Sequence, residues 1–434
     1  MVRKKPPPPP PVQPLRLVGA ARVIFLAGPF VLVTLMPFHE LLGAACKYLG
    51  AWDEAVLLLM ALSWAVLWRN GAAGPTRWRW LSATLLLFAF ACLASAAANG
   101  LPGDWFTQAR KLLPYPVLCL LIVNSRELMD ETWRRRVLVS VVVAGAVAAL
   151  WAIASYALFY HGHLDDGGRL SKSSAVGRVL LYPYTRRVEL GRIDRAVGSF
   201  LNPNVLGSYL VVVATLCVGL LLSQTRKLPQ VLLGSTAFVA VTALALTNSR
   251  GAMVGLLAAS VVVALLRDRR VLAVPVVLLV LVAGLTPMGR TAERVSHVSQ
   301  GDRTRLTKPV QAFQAIRDCR WLGKGLGTTG YGDMQYATLL FETGLVGLGC
   351  FLALLIAAFA SCVQAARRPG QPLVQNVNAS IAGVCLAGGV QGLAADYFAT
   401  PQRACLFWLL IALAARSAQE PLKQLPPLAG EDEG

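Results

Sequence analysis

Charge is scarce in this chain, and acidic charge scarcer still: 15% of residues are charged, with 22 Asp and Glu against 41 Lys and Arg. Soluble globular domains carry roughly 25% charged residues, so that class is excluded. No two cysteines form a C-x-x-C pair, which removes zinc-ribbon and dithiol redox readings. Glycines gather between Gly323 and Gly332, yet no Lys-Ser/Thr follows at the spacing of a phosphate-binding P-loop. The first apolar run lacks a small-residue cleavage site and is read as a retained helix rather than a signal peptide. No internal repeat is present.

What remains is apolar and long. The 434 residues are 56% hydrophobic, with a mean hydropathy of +0.57. Runs of roughly 20 apolar residues are long enough to cross a bilayer. Twelve stand out: 17–36, 54–69, 81–98, 112–124, 137–159, 204–222, 228–247, 251–266, 270–287, 335–365, 376–395 and 401–416. The expected fold class is therefore all-α, a polytopic integral membrane protein of about twelve transmembrane helices. Starting with Arg3, Lys4 and Lys5 inside, every short inside loop is basic: Arg69/Arg77/Arg79, Arg126/Arg134/Arg135/Arg136, Arg226/Lys227, Arg267/Arg269/Arg270 and Arg367/Arg368. The short outside loops hold only Lys47, Arg110/Lys111, Arg250 and Arg403.

Residues 1–16, with consecutive prolines from Pro6 to Pro11, and residues 417–434 are expected to be disordered cytoplasmic tails. Residues 17–416 form a single membrane domain with two hydrophilic insertions, 160–198 and 288–334, on the outer side. These carry seven and eight Lys/Arg, where the positive-inside rule expects few. Long loops determine topology poorly, so the orientation stands and the charge calls for an anionic partner. The net charge of +19 is thus not a nucleic-acid signature. Cys46 and Cys319 alone lie clearly in outer loops, allowing at most one disulfide. Within the second insertion, Leu306, Val310, Phe313 and Ile316 recur at helical spacing between Arg305 and Cys319. Such a stripe suits a helix lying on the membrane surface or capping a cavity.

Three clusters carry candidate chemistry. Thr247-Asn248-Ser249-Arg250-Gly251 interrupts an apolar run so briefly that Arg250 is held near the outer headgroups. There it faces a cavity or charged ligand, or else extends to lipid phosphates. Arg192 and Arg195 precede Asn202-Pro203-Asn204, with Asn204 expected to cap the next helix. A helix start beside arginines suits a phosphate, and equally suits an ordinary capped helix with solvated charges. The third cluster runs from Leu322 through the glycines to Asp333 and Tyr336. Asp333 is a helix cap or a base toward a sugar hydroxyl. His161, His163, Asp165 and Asp166 offer metal-ligand types, but no further cluster supports them; no metal and no cofactor is expected.

Taken in order, Arg195-x-x-Gly198…Asn202-Pro203-Asn204, Thr247-x-Ser249-Arg250-Gly251, Leu322-Gly323-x-Gly325-x-Gly327, Asp333-Met334-Gln335-Tyr336 and Glu342-Thr343-Gly344-Leu345-x-Gly347 resemble the O-antigen ligase and polymerase superfamily. The resemblance covers about residues 137–416. Members are metal-independent membrane glycosyltransferases that use undecaprenyl-diphosphate-linked glycans on the outer face of the bacterial inner membrane. The resemblance implies that Arg195 and Arg250 grip the donor diphosphate and that Asp333 acts as a general base. Arg192, Asn204, Arg305, Arg317 and Tyr336 follow as substrate-binding candidates. Ligases of the family carry His-Asn where this chain has Asp333-Met334, while polymerase-like members have Asp-Asn with a following Tyr. The expected function is therefore polymerisation of lipid-linked repeat units into a surface polysaccharide. Its alternatives are ligation of the glycan to lipid A core or another acceptor, and transport of an anionic lipid-linked sugar. The expected partners are the lipid-linked donor, a glycan or lipid acceptor and membrane lipids, with no nucleic acid.

Overall fold

The computed structural model describes residues 15–71, 79–125, 128–160, 195–285, 300–328 and 334–417, and every regular element among them is helical. In chain order the α-helices are α1 (Leu15–Leu35), α2 (His39–Ala45), α3 (Trp52–Arg69), α4 (Arg79–Ala98), α5 (Trp105–Leu112), α6 (Pro114–Val123) and α7 (Glu131–Tyr160). They continue as α8 (Pro203–Leu221), α9 (Lys227–Thr247), α10 (Arg250–Leu266), α11 (Ala273–Leu285), α12 (Gln300–Ala315), α13 (Gln335–Arg367), α14 (Pro372–Gly392) and α15 (Pro401–Ser417). A helix satisfies its own backbone hydrogen bonds, which hydrocarbon demands of any segment that crosses it.

Among the described residues, nine helical stretches are long and apolar enough to cross a membrane. The expected span 112–124 starts earlier, because α5 and α6 run on as one stretch, Trp105–Val123. Runs 251–266, 270–287 and 401–416 are helical too, as α10, α11 and α15, but only 17, 13 and 17 residues long. At 1.5 Å per residue, a helix as short as α11 rises about 20 Å, against a hydrocarbon core of about 30 Å.

The core is built around α15, whose residues from Gln402 to Ser417 are all buried, and α8, buried almost throughout. The peripheral helices instead expose large apolar side chains, such as Leu58 and Leu62 on α3, Phe90 on α4 and Ile356 on α13. Such apolar exteriors fit a lipid surrounding. Small residues let the inner helices approach closely: a Cβ on Gly383 of α14 would sit 2.8 Å from the carbonyl oxygen of Ala259 on α10.

Hydrogen bonds define two polar ends. At one, Ser199 donates to the Pro37 carbonyl, Gln402 to Glu40, and Gln335 to the Ala395 carbonyl. At the other, Arg134 reaches Glu131 and Ser417, Arg267 reaches Gln375, and Asn376 reaches Ser223. The described residues of the three sequence clusters lie toward the first end.

The apolar stripe of the second insertion forms a helix, α12, but does not act as one face. Ala312 and Ile316 are buried against Met334, Ala337 and Leu340 at the start of α13, whereas Val310 and Phe313 stay exposed. All nine cysteines are free, Cys46 and Cys319 included, so the disulfide allowed by the sequence is not made.

Candidate functional site

The junction of α8, α9 and α10 is where the first two clusters meet. Helix α9 ends at Thr247, Asn248 turns the chain in the left-handed region (φ 47°, ψ 42°), and Ser249 leads directly into α10. Asparagine tolerates that conformation better than most residues. A connection this short places the carboxyl end of α9 beside the amino end of α10. Helix α8 starts alongside: a Cβ on Gly207 would lie 2.9 Å from the Ala252 Cβ and 3.2 Å from the Ser249 Cβ.

Arg195 joins these ends. Its Nε donates to the Thr247 carbonyl oxygen at 2.7 Å, and one Nη donates to Asn204 Oδ1, also at 2.7 Å. The next residue continues the clamp, since the Ala196 N–H donates to the Leu246 carbonyl at 2.9 Å. The last carbonyls of a helix carry partial negative charge, so a guanidinium at the end of α9 is favourable. Ser249 Oγ also donates to Asn204 Oδ1, at 3.1 Å. One amide oxygen thereby ties all three helix ends together.

The structure corrects the expected cap. Asn202, not Asn204, caps α8, its side chain accepting from the Asn204 N–H at 2.9 Å. Pro203 occupies the first helical position, where its missing N–H costs nothing. The Asn204 side chain is therefore released from capping and turned toward Arg195. Arg250 occupies the first position of α10 and is exposed. Two helix starts, Arg195 and Arg250 make this junction electropositive, a setting that suits an oxyanion.

Helix α14 extends the network. Ser208 of α8 donates to the Asn204 carbonyl at 2.8 Å and contacts the side-chain oxygen of Gln391. Tyr336 packs one turn away, its hydroxyl donating to the Gly389 carbonyl at 2.7 Å. Burial against Gly389 and Gly392 makes Tyr336 part of the helix packing. Arg317 is exposed in the turn after α12, with no hydrogen bond to the junction among the described residues. Arg192, Asp333 and the His161–Asp166 segment lie outside the described residues, as does the side chain of Arg305. Among the described residues no group of acidic, His and Cys side chains is arranged to hold a metal ion.

The glycine-rich segment is a docking element for the backbone. Helix α13 breaks at Gly344 (φ 65°, ψ −164°), leaving carbonyls and N–H groups without helical partners. The loop supplies them: Lys324 N–H donates to Phe341 O at 2.9 Å and Gly325 N–H to Glu342 O at 3.0 Å. In return, Leu345 N–H reaches Arg320 O at 2.9 Å and Val346 N–H reaches Trp321 O at 3.2 Å. Gly323 and Gly344 face each other so closely that a Cβ on either would fall 2.6 Å from the other's backbone nitrogen. The Ser95 hydroxyl of α4 completes the staple, 2.7 Å from the carbonyl oxygens of both Leu322 and Glu342.

Of the buried charged residues that the sequence-based selection did not name as site candidates, Glu342 and Arg403 lie toward this end. Glu342 lies at the break, fully buried, with the Gly327 backbone N–H within reach of its carboxylate. Arg403, in the first turn of α15, is also buried. The signal for both was available, since an ionisable residue within an apolar span is a functional candidate. Compared with known proteins, the chain matches no protein-family model and no curated protein.

Proposed function

We propose that the chain is a metal-independent membrane glycosyltransferase that polymerises undecaprenyl-diphosphate-linked repeat units into a surface polysaccharide. In this reading the chain has twelve spans, and the end carrying the junction faces outward from the bacterial inner membrane. The observation that carries the reading is the junction of Arg195, Asn204, Ser249 and the exposed Arg250 at two helix starts. A prenyl diphosphate bears about two to three negative charges, and planar guanidinium groups match phosphate oxygens two at a time. The prenyl chain stays in the bilayer, so the protein needs to bind only the head.

The chemistry follows from charge. The acceptor hydroxyl oxygen forms a bond to the anomeric carbon of the donor sugar as the bond from that carbon to the diphosphate breaks. Asp333 takes the hydroxyl proton in this scheme, and the departing diphosphate carries the electron pair away. Its negative charge grows toward the transition state, so arginines already in place stabilise that state more than the bound substrate. Polymerisation is favoured over ligation by the resemblance of Asp333-x-x-Tyr336 to polymerase-like members.

Lipid-linked glycans extracted from a deletion strain test the reading. Single repeat units accumulating on the carrier support polymerisation, whereas full-length chains left on it point to ligation. An unchanged glycan profile, or reporter fusions placing residues 160–198 and 288–334 in the cytosol, overturns it.

A further inference from the structure

At the end opposite the junction, α13 borders a surface cleft of about 770 Å³, lined among the described residues by Phe359, Ala360, Val363, Gln364, Arg367 and Arg368. The lining holds two arginines and no carboxylate among the described residues. Leu352, Ile356, Phe359, Ala360, Val363 and Arg367 follow one another at helical spacing, so they share one face of α13. Phe359 and Val363 are half-buried against the core and form the back wall, while the small, exposed Ala360 leaves room in front of it. Leu352 and Ile356, 41% and 69% exposed, carry the apolar stripe on toward the middle of the bilayer. Gln375 fixes the level of the charged end. Its amide nitrogen donates to the Arg368 carbonyl at 2.9 Å and its oxygen accepts from Arg267 at 3.0 Å, which ties the ends of α13 and α10 together. Arg269 and Arg270 follow Arg267 directly. The arginines of the cleft therefore stand among cationic helix ends, at the depth of lipid headgroups. From Arg367 back to Leu352 the helix rises about 22 Å, against about 15 Å of hydrocarbon in one leaflet. The stripe is long enough to accompany one acyl chain with the arginines beyond its end.

We propose that this cleft binds an anionic glycerophospholipid of the surrounding leaflet, the inner one in the orientation proposed above. Arg367 holds the phosphate, Arg368 adds charge beside it, and one acyl chain lies along Phe359, Ala360, Ile356 and Leu352. Charge and apolar surface thus each meet their counterpart, the arrangement by which basic pockets at a membrane face select anionic headgroups. Carbonyls at the carboxyl end of a helix repel an anion, so the guanidinium charges are what admit a phosphate here. Phosphatidylcholine brings its own ammonium to the same place and is repelled by both arginines, which makes the cleft selective for anionic lipid. The site stands apart from the glycosyltransferase reading, because it lies at the end away from Arg195 and Arg250.

The test uses the full chain in phosphatidylcholine nanodiscs containing a small fraction of phosphatidylglycerol with a photoactivatable group on one acyl chain. Cross-links should concentrate on residues 352–363 and should be displaced by unlabelled phosphatidylglycerol. Arg367→Gln should weaken that labelling about fivefold, and Arg367→Gln combined with Arg368→Gln should weaken it further. Arg367→Lys should keep most of it, since a point charge suffices for a headgroup phosphate. Ala360→Trp fills the cleft without touching its charge and should remove the labelling at an unchanged unfolding temperature, because Ala360 is exposed. Labelling spread evenly over the apolar exterior of the unaltered protein overturns the proposal, whatever the variants do. So does labelling of 352–363 that persists when both charges are gone or when Ala360 is Trp. Displacement by a polyprenyl phosphate at concentrations where phosphatidylglycerol has no effect also overturns it, by assigning the cleft to the glycan carrier.

Discussion

Asn204 offers a way to separate holding the junction from binding a substrate. Its Oδ1 accepts one charge-assisted bond from Arg195 at 2.7 Å and one neutral bond from Ser249 at 3.1 Å. Net contributions are about 1.5–3 kcal/mol for the first kind and 0.5–1.5 kcal/mol for the second. Asn204 and Arg195 are both half-buried, so water replaces part of the loss. Asn204→Ala should therefore destabilise the chain by about 2 kcal/mol, read as a fall of a few degrees in thermal unfolding in detergent. Asn204→Asp keeps an oxygen in the same place and should unfold at or above the unaltered temperature. It also sets a fixed negative charge against Arg195, so a diphosphate should be bound less well and polymer yield should fall at least about tenfold. Loss of activity without loss of stability is the decisive pattern. Full-length polymer at normal yield from Asn204→Asp would refute a role for the Arg195 charge in binding. An unchanged unfolding temperature for Asn204→Ala would refute the claim that this oxygen ties the three helix ends.

Three further outcomes are expected. Arg250→Ala should slow polymerisation about a hundredfold, the loss of roughly 3 kcal/mol of transition-state stabilisation, with unfolding unchanged because the residue is exposed; turnover of a lipid-linked donor in vesicles measures it. Gly344→Ala should cost about 2–4 kcal/mol, since its backbone angles suit only glycine and the added Cβ would lie 2.4 Å from the Trp321 carbonyl oxygen; thermal unfolding checks it. Glu342→Gln removes the cost of burying a charge while keeping an acceptor for the Gly327 backbone N–H, so the unfolding temperature should hold or rise; a clear drop would mean that the charge is satisfied by something the helix break supplies.

The membrane character and the positions of the helices were legible because both depend on one-dimensional quantities, apolar run length and breaks in it. All twelve expected runs coincide with helices, from α1 to α15. Length was less legible: α5 and α6 join across Leu113, because Pro114 sits at a first helical position, where it starts a helix rather than ending one. The same residue type explains the misplaced cap at α8. Asn202 and Asn204 both suit capping, and only Pro203 between them decides that the cap is Asn202.

The candidate site was legible as parts and not as an assembly. Arg195 and Asn204 are nine residues apart and could be paired by eye, but their link to Thr247 and Ser249 depends on how three helices pack. The glycine-rich segment was legible as a loop but not for what it holds. The sequence excludes a P-loop there and leaves the glycines without a role; in the fold the first part of Gly323 to Gly332 cradles the broken backbone of α13. Glycines permit close approach to any backbone, including the protein's own, and only the partner distinguishes the two uses. Arg403 shows the converse. Counted among loop charges it is one sparse outer cation, yet packing buries it at a helix start with unfilled donors. Charge counts report where a residue can sit relative to the bilayer; whether it is buried depends on helix packing that no count contains.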